Sequence, residues 1–159
     1  MDRRCKVVLL CGLPGAGKSS LVKKIRAPQV SIIEYDNIED DLNHLCVEAW
    51  RQARRLALEK LNEFIQTCNI VILDDNFYLK SMRKQIYQVC QQQQSQRRVL
   101  FGVVYVDTPL DACIIRNHKR HRPVPDDTIR KMSRRLEAPP SGEPWEKSVL
   151  RIDGCDSID

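Results

Sequence analysis

Eight consecutive residues near the N-terminus have the spacing Gly-x4-Gly-Lys-Ser of a phosphate-binding loop. They are Gly12, Leu13, Pro14, Gly15, Ala16, Gly17, Lys18 and Ser19. The glycines let backbone N–H groups turn towards a polyphosphate, and a helix that begins at the loop adds a favourable dipole. In such a loop the Lys18 amine would contact the β- and γ-phosphates, and the Ser19 hydroxyl would take a magnesium ion. The segment therefore predicts the binding of ATP with Mg²⁺.

Carboxylates follow the apolar segments that we expect to be strands. Asp74 comes directly after four apolar residues, which is typical of a Walker B carboxylate that holds the magnesium ion or its water. Asp36 follows another such segment, and a kinase needs a carboxylate that accepts the proton of the attacking hydroxyl. The alternatives are that Asp36 caps a helix beginning near Ile38 and that Asp74 caps a helix or lies in a solvated turn. Asp107 precedes a Thr-Pro pair, which is typical of a helix start, and we assign it no catalytic role.

A basic cluster runs from Arg116 to Arg122, and further cations follow between 130 and 135. Phosphoryl transfer spreads negative charge over the moving group, and guanidinium groups stabilise that charge. Arg116 and Arg120 are four residues apart, so we expect them on one face of a helix that Pro123 ends. The segment that follows would then be a hinged flap over the site. The alternatives are a solvated basic helix end and an electrostatic track for an RNA backbone.

Composition limits the class of protein. The chain has 159 residues, 42% of them hydrophobic, which suits a single globular domain over residues 1–159. The net charge of +5 is compatible with an anionic partner. Seven cysteines lie mostly in apolar segments without Cys-x-x-Cys spacing, which indicates reduced thiols in a cytoplasmic protein rather than disulfides or a zinc site. No apolar run is long enough for a membrane helix, so we expect no membrane partner.

Apolar strands and amphipathic helices alternate along the chain. We expect strands at 7–10, 30–35, 70–73, 99–106 and 149–152. Helical spacing predicts one long helix from 41 to about 67, with Arg54 on its solvated face, and another helix from 80 to 94. Continuous apolar strands that alternate with helices are typical of a parallel sheet covered on both faces. Together with the phosphate-binding loop, this pattern predicts an α/β P-loop NTPase fold of the adenylate-kinase-like, three-layer α/β/α type.

Segments beyond the loop carry a more specific pattern. They are Leu-Asp-Asp-Asn-Phe-Tyr at 73–78 with Ser-Met-Arg at 81–83, Asp-Thr-Pro-Leu at 107–110 with Arg-Asn at 116–117, and Met-Ser-Arg-Arg-Leu-Glu at 132–137 followed by Pro139 and Trp145. In these segments the chain resembles the L-seryl-tRNA(Sec) kinase family. The resemblance covers the phosphate-binding loop and nearly everything from 70 to 152. That family phosphorylates the serine carried by the selenocysteine tRNA, and selenocysteine is made from the resulting O-phosphoseryl-tRNA.

The resemblance implies roles for particular residues. It places Lys18 and Ser19 at the nucleotide and the magnesium ion, Asp36 as the acceptor-side carboxylate, and Arg116 and Arg120 as the Arg-x-x-x-Arg element of the flap. ATP and Mg²⁺ would be the cofactors, and tRNA, most simply seryl-tRNA(Sec), would be the partner. The region between 36 and 70 is short in this chain and does not match the family. We also find no counterpart of the family's C-terminal helical domain, which grips the tRNA, and therefore expect weak tRNA binding.

Two other functions stay open at this point. The Elongator-associated ATPases look similar, share the phosphate-binding loop and bind tRNA, but they hydrolyse ATP without phosphorylating an acceptor. A single P-loop domain of this size also suits a small-molecule kinase of the nucleoside type.

Overall fold

The computed structural model describes residues 4–42 and 48–155, and in this part of the chain five parallel strands form one sheet. The strands are β1 (Arg4–Cys11), β2 (Val30–Glu34), β3 (Ile70–Asp74), β4 (Arg98–Asp107) and β5 (Val149–Asp153). Their order across the sheet is β2-β3-β1-β4-β5, so the strand that leads into the phosphate-binding loop is central. The predicted α/β fold with a parallel sheet is confirmed, and all five predicted strands are present.

Helices cover both faces of the sheet. They are α1 (Lys18–Ile25), α2 (Tyr35–Leu42), α3 (Ala49–Thr67), α4 (Lys80–Gln92), α5 (Leu110–His118) and α6 (Asp126–Arg135). On one face, Leu9 of β1 packs in a large core cluster with residues of α3 and α4. On the other face, Leu10 packs against Val22 of α1 and Ile72 of β3. Burial on both faces explains why the strands are continuously apolar rather than alternating. No helix within the described residues is both long and apolar enough to cross a membrane.

Where the sequence predicts one helix from 41 to about 67, the structure has the end of α2 and the whole of α3. Asp41 and Leu42 end α2, and α3 begins at Ala49. The helical spacing of apolar residues continues across the junction, so periodicity alone did not reveal the break. Leu45 and Cys46, which the prediction included, lie outside the described residues. From Ala49 onwards the prediction holds, because α3 buries an i, i+4 stripe that consists of Ala49, Ala53, Ala57, Leu61 and Ile65.

A buried ion pair ties the chain after α6 to α4 and to the segment between β3 and α4. Arg83 of α4 and Glu146 are both fully buried and form a salt bridge. Arg83 also donates to the carbonyl oxygens of Phe77 and Glu137, each at 2.8 Å, and the Ser141 N–H donates to Glu146 at 2.8 Å. Burial alone would raise the pKa of Glu146, but the hydrogen bonds from Arg83 and Ser141 outweigh it and lower that pKa.

We expect Arg83→Met to lower the free energy of unfolding by about 3–5 kcal/mol, because it leaves the Glu146 carboxylate buried without its partner. Urea unfolding at pH 7 measures the change, and Lys84→Met, the exposed neighbour on the same helix, is the control. Because the folded-state pKa of Glu146 is lowered, its stabilisation is present above the unfolded pKa and is lost as the pH falls. The difference between wild type and Arg83→Met should therefore shrink in acid. An unfolding free energy equal to that of Lys84→Met would contradict this account.

Candidate active site

The phosphate-binding loop lies between β1 and α1, at the carboxyl edge of the sheet where ligands bind in open α/β folds. Gly15 has a φ of +83°, and a Cβ atom there would lie 2.2 Å from the carbonyl oxygen of Cys113 in α5. Any side chain at this position would therefore clash with the backbone of α5. Gly17, which precedes α1, has a φ of 111°, in the left-handed region that favours glycine. These glycines are required for the loop to pack against α5 and turn into α1.

Neighbouring segments hold the loop in shape. The carbonyl oxygen of Ala16 accepts hydrogen bonds from the Thr108 hydroxyl at 2.7 Å and from Arg116 at 3.2 Å. The Gly12 N–H donates to the carbonyl oxygen of Asn76 at 2.9 Å. A cleft adjoins the loop at this edge of the sheet. Of the predicted loop residues, Gly12, Leu13 and Ala16 are buried and do not line this cleft. Those that line it are Pro14, Gly15, Gly17, Lys18 and Ser19.

Lys18 is bound by oxygen atoms around the loop. Its Nζ donates to the carbonyl oxygens of Gly12 at 2.7 Å and Leu13 at 2.8 Å, and to Oδ1 of Asn76 at 3.0 Å. Burial lowers the pKa of this amine, while the nearby carboxylates of Asp74 and Asp75 oppose the shift. Burial and these three contacts hold the amine at the loop. Asn76 was not among the predicted site residues, although it follows two aspartates at a strand end and belongs to one of the segments that carry the family resemblance.

Asp74 ends β3, beside β1 in the sheet, and its carboxyl faces the cleft that Ser19 also lines. Burial raises the pKa of Asp74 to about 6; Lys18 opposes the shift, whereas the neighbouring carboxylates of Asp36, Glu34 and Asp75 add to it. A hydroxyl and a carboxylate are the oxygen ligands that Mg²⁺ takes in P-loop sites, where phosphates and waters complete the octahedron. Among the described residues no group of three or more His, Cys, Asp or Glu could hold a metal by itself. The Ser19 hydroxyl and the Asp74 carboxylate fit an Mg²⁺ ion whose other ligands are phosphates and waters.

The neighbouring carboxylate, Asp75, has a partner on α3. Arg54 forms a salt bridge with it at 3.2 Å, and the Arg54 guanidinium lies 5.9 Å from the ring centroid of Tyr35. The Arg54 side chain is only 33% exposed. Our expectation that Arg54 belongs to a solvated helix face is therefore wrong. Periodicity identified the apolar side of α3 but could not show that the side next to it meets a carboxylate from another element.

Asp36 lines the same cleft. It belongs to the first turn of α2, which begins one residue earlier at Tyr35, so it does not precede the helix as a capping residue would. Its carboxylate is 77% exposed and accepts a hydrogen bond from Arg120 at 3.4 Å. The cleft therefore holds a solvent-accessible carboxylate and the phosphate-binding loop together.

The two predicted arginines also line the cleft, but they do not share a helix. α5 ends at His118, before Pro123, so Arg116 lies in the last turn and Arg120 in the turn beyond it. Asn117 is fully buried, and its side-chain amide donates to the carbonyl oxygen of Val124 and accepts from the Val124 N–H. These two hydrogen bonds shape the bend of the chain between residues 117 and 124. The two bonds satisfy the backbone N–H and carbonyl of Val124, and the spacing of residues in the sequence did not reveal this role of Asn117.

The two arginines therefore have different partners. Arg116 donates to the carbonyl oxygens of Ala16 and Gly154, which tie it to the loop. Arg120 instead faces Asp36. The cleft thus brings together cations at the loop, a carboxylate at the end of β3 and an accessible carboxylate on α2, and phosphoryl transfer uses groups of these kinds.

Comparisons with known proteins agree with this geometry. The sequence profile of the family described as "Chromatin associated protein KTI12" matches residues 6–159. The L-seryl-tRNA(Sec) kinase of Mus musculus is 26% identical over 210 residues, covering 91% of this chain and 57% of the mouse protein. The enzyme of the same name from Methanococcus maripaludis is 22% identical over 160 residues, covering 96% of this chain and 61% of its own length. The chain thus spans about three fifths of the length of these relatives.

Two further points follow from the comparisons. The alignment with the mouse protein is longer than the 159 residues of this chain, so the mouse protein has internal segments that this chain lacks. Among solved structures, Chaetomium thermophilum Kti12 in complex with ADP-AlF3 superposes with a TM-score of 0.72 at 18% identity, covering 96% of this chain and 91% of that one. At this identity the superposition establishes the fold, and the P-loop architecture predicted from the sequence is confirmed.

Proposed function

This chain belongs to the KTI12 family, and from that premise we propose that it is an ATP-dependent kinase that phosphorylates the serine of seryl-tRNA(Sec). The observation that carries the proposal is the position of Asp36, which lines the same cleft as Lys18 and accepts a hydrogen bond from Arg120. In P-loop hydrolases a neutral polar side chain is enough to orient the attacking water, whereas transfer to an alcohol is favoured by an accessible carboxylate that takes the hydroxyl proton. Relatives named L-seryl-tRNA(Sec) kinase support serine as the acceptor.

In the proposed reaction the loop amides and Lys18 bind the β- and γ-phosphates, and Lys18 exchanges its contacts with Gly12 and Leu13 for phosphate oxygens. Ser19 and Asp74 would hold Mg²⁺, which when bound neutralises charge on the phosphates. The serine oxygen forms a bond to the γ-phosphorus as the bond from that phosphorus to the ADP oxygen breaks. The hydroxyl proton passes to Asp36, and Arg116 and Arg120 stabilise the charge on the moving phosphoryl group.

A second candidate function is ATP hydrolysis coupled to RNA binding. It is favoured by the resemblance of the sequence to the Elongator-associated ATPases and by the fold shared with Kti12, whose solved structure is a complex with ADP-AlF3. The same loop and the same cations would serve that reaction, with water in place of the serine hydroxyl. The two functions therefore differ in what receives the phosphoryl group.

The experiment that separates them follows the label from [γ-³²P]ATP into candidate acceptors. The purified chain is incubated with seryl-tRNA(Sec), seryl-tRNA(Ser) or free nucleosides, and the products are separated. Label in O-phosphoseryl-tRNA(Sec) supports the proposal. Release as inorganic phosphate alone, at a rate that seryl-tRNA(Sec) does not change, would favour the ATPase, and label in a nucleoside but in neither tRNA would favour a small-molecule kinase.

We propose that α6 provides the contact with the tRNA backbone. Ile129 is fully buried and fixes the orientation of the helix. The opposite side of α6 carries a basic stripe of exposed cations, which we define as Arg130, Lys131, Arg134 and Arg135. Arg135 also lies over the ring of Tyr78, with 5.9 Å between the guanidinium carbon and the ring centroid. Four cations on one helix side present a surface that a phosphate backbone can follow.

Replacing all four residues of the basic stripe by glutamine should weaken tRNA binding and flatten its salt dependence. Each lost phosphate contact removes about 0.7–0.9 from the slope of log K against log salt concentration, because fewer counterions are released on binding. Filter binding between 50 and 200 mM salt measures the slope. A quadruple glutamine variant of Lys23, Lys24, Lys60 and Lys84, all exposed and outside the stripe, is the charge-matched control. Equal slopes in the two quadruple variants would remove α6 from the tRNA interface.

A further inference from the structure

A second cavity of about 300 Å³ lies beside the phosphate cleft, between α2 and the chain that follows α5. The residues that line it are Asp36, Glu39, Asp40, Arg120, Arg122 and Val124. Asp36 and Arg120 also line the phosphate cleft, so these two residues form the boundary between the two spaces. A group bound in the second cavity would therefore meet the γ-phosphate at Asp36.

The two walls of this cavity carry opposite charges. The α2 wall presents three carboxylates at positions i, i+3 and i+4, which share one helix face. The facing wall presents the guanidinium groups of Arg120 and Arg122. Two ion pairs cross the space, Arg120 with Asp36 at 3.4 Å and Arg122 with Asp40 at 2.9 Å.

The ion pair at the outer end of the cavity is readily exchanged. Arg122 is 71% exposed and Asp40 is 50% exposed, and pairs in such contact with water add little to stability. A ligand that brings both a cation and an anion could replace each partner with a charge of its own. Glu39, which also faces the space, has a pKa raised by burial first and then by the carboxylates of Asp36, Asp75 and Asp40. A cation bound between these carboxylates would relieve that repulsion.

We propose that this cavity receives the aminoacylated 3′ end of the acceptor, with the α-ammonium of the amino acid on Asp40 and Glu39 and a backbone phosphate on Arg122. This inference rests on the proposed function. In serine the ammonium and the hydroxyl are separated by two bonded carbons, and Asp40 and Asp36 are one helical turn apart. An ammonium on Asp40 thus brings the hydroxyl towards Asp36 at the boundary of the phosphate cleft. Asp40, Glu39 and Arg122 are positioning residues, since none of them touches the reacting atoms.

The charge pattern selects this class of ligand over the alternatives. Nucleosides and sugars carry no ammonium group to satisfy the carboxylate wall. A phosphate alone would satisfy Arg122 but would lie against three carboxylates across the cavity. An aminoacyl ester at the end of a nucleic acid carries the cation and the anion together, and the two walls match both of them.

Direct binding tests the inference without any phosphoryl transfer. The probe is a CCA trinucleotide whose 3′ position carries alanine through an amide, so that it has the ammonium but no hydroxyl to phosphorylate. Its affinity is measured by calorimetry in the presence of ADP and Mg²⁺. We expect N-acetylation of the probe and the Asp40→Asn substitution each to weaken binding about tenfold, and N-acetylation to have a smaller effect on Asp40→Asn, in which Glu39 is the remaining carboxylate for the ammonium. Asp41→Asn, exposed on the same helix and outside the cavity, should bind both probes as wild type does.

A charge-exchange variant distinguishes recognition of the ammonium from a purely structural ion pair. Asp40→Arg combined with Arg122→Asp keeps an ion pair across the cavity but reverses the walls. If the pair only holds α2 to the chain after α5, this variant binds the free-amine probe as wild type does, and the inference falls. If the cavity reads the ammonium, the variant loses at least tenfold in affinity while its melting temperature stays close to that of wild type. Equal wild-type affinity for the free and N-acetylated probes would also overturn the assignment.

The outcomes for the cavity and for the kinase are distinguishable. Ammonium-dependent probe binding without phosphorylation of seryl-tRNA(Sec) supports the cavity assignment and counts against the kinase. Phosphorylation of seryl-tRNA(Sec) by a wild-type protein that binds both probes equally supports the kinase and overturns the cavity assignment.

Discussion

Lys18→Ala should lower turnover by about 10³-fold, the size of effect expected when a positioned donor to the transferred phosphoryl group is removed. The structure adds a reason for a loss in nucleotide affinity as well. The Lys18 amine is held at the loop by two carbonyl oxygens and Asn76, so the loop keeps a cation where the β- and γ-phosphates are expected. A fluorescent ATP analogue measures affinity, and release of ADP measures turnover.

Lys23→Ala is the matched control for this experiment, because Lys23 is an exposed lysine on the same helix, α1. Thermal unfolding of both variants shows whether Lys18→Ala changes more than the site, since its three hydrogen bonds also hold the loop. Affinity and turnover equal to those of Lys23→Ala would remove the phosphate-binding loop from the proposed function.

The fold was predictable because its signals are local. The loop that ends in Lys18 and Ser19 is contiguous, and each buried strand is a short apolar run bounded by polar residues. The ends of the helices were harder to predict from the sequence. α5 ends at His118, well before Pro123, because the buried Asn117 side chain bonds the backbone of Val124 and closes the bend there. Proline spacing alone placed the end too far along the chain.

The partners within the site were not predictable, because they are distant in sequence. Asn76 reaches Lys18 across 58 positions, and Arg54 reaches Asp75 across 21. Asp36 and Arg120 are 84 positions apart, and no spacing rule indicated that they would meet. Residue type and strand-end position identified candidates such as Asp36 and Asp74, since parallel strands end at the same edge of a sheet. The pairing of those candidates required the packing of α2 and the chain after α5 around that edge.

The substitution that tests the reaction class is Asp36→Asn. We expect it to lower phosphoryl transfer to seryl-tRNA(Sec) by about 10²–10⁴-fold, the range for loss of a general base. Asparagine has nearly the same shape and keeps an oxygen that can accept the hydrogen bond from Arg120, so the cleft retains its form. Among the described residues, no hydrogen bond joins Asp36 to the phosphate-binding loop. We therefore expect the affinity for ATP with Mg²⁺ to stay within a few-fold of wild type.

Asp41→Asn, an exposed aspartate on the same helix, controls for the loss of one negative charge near the cleft. Phosphoseryl-tRNA and inorganic phosphate are both measured, because the two products distinguish a loss of transfer to serine from a loss of all ATP turnover. Transfer lost in Asp36→Asn but kept in Asp41→Asn, with ATP affinity unchanged, assigns the proton of the serine hydroxyl to Asp36. Transfer at the wild-type rate in Asp36→Asn would show that another group takes this proton. Since the carboxylate is 77% exposed, a water molecule at the same place would then be the simplest acceptor of the proton, and Asp36 would not be the general base of the reaction.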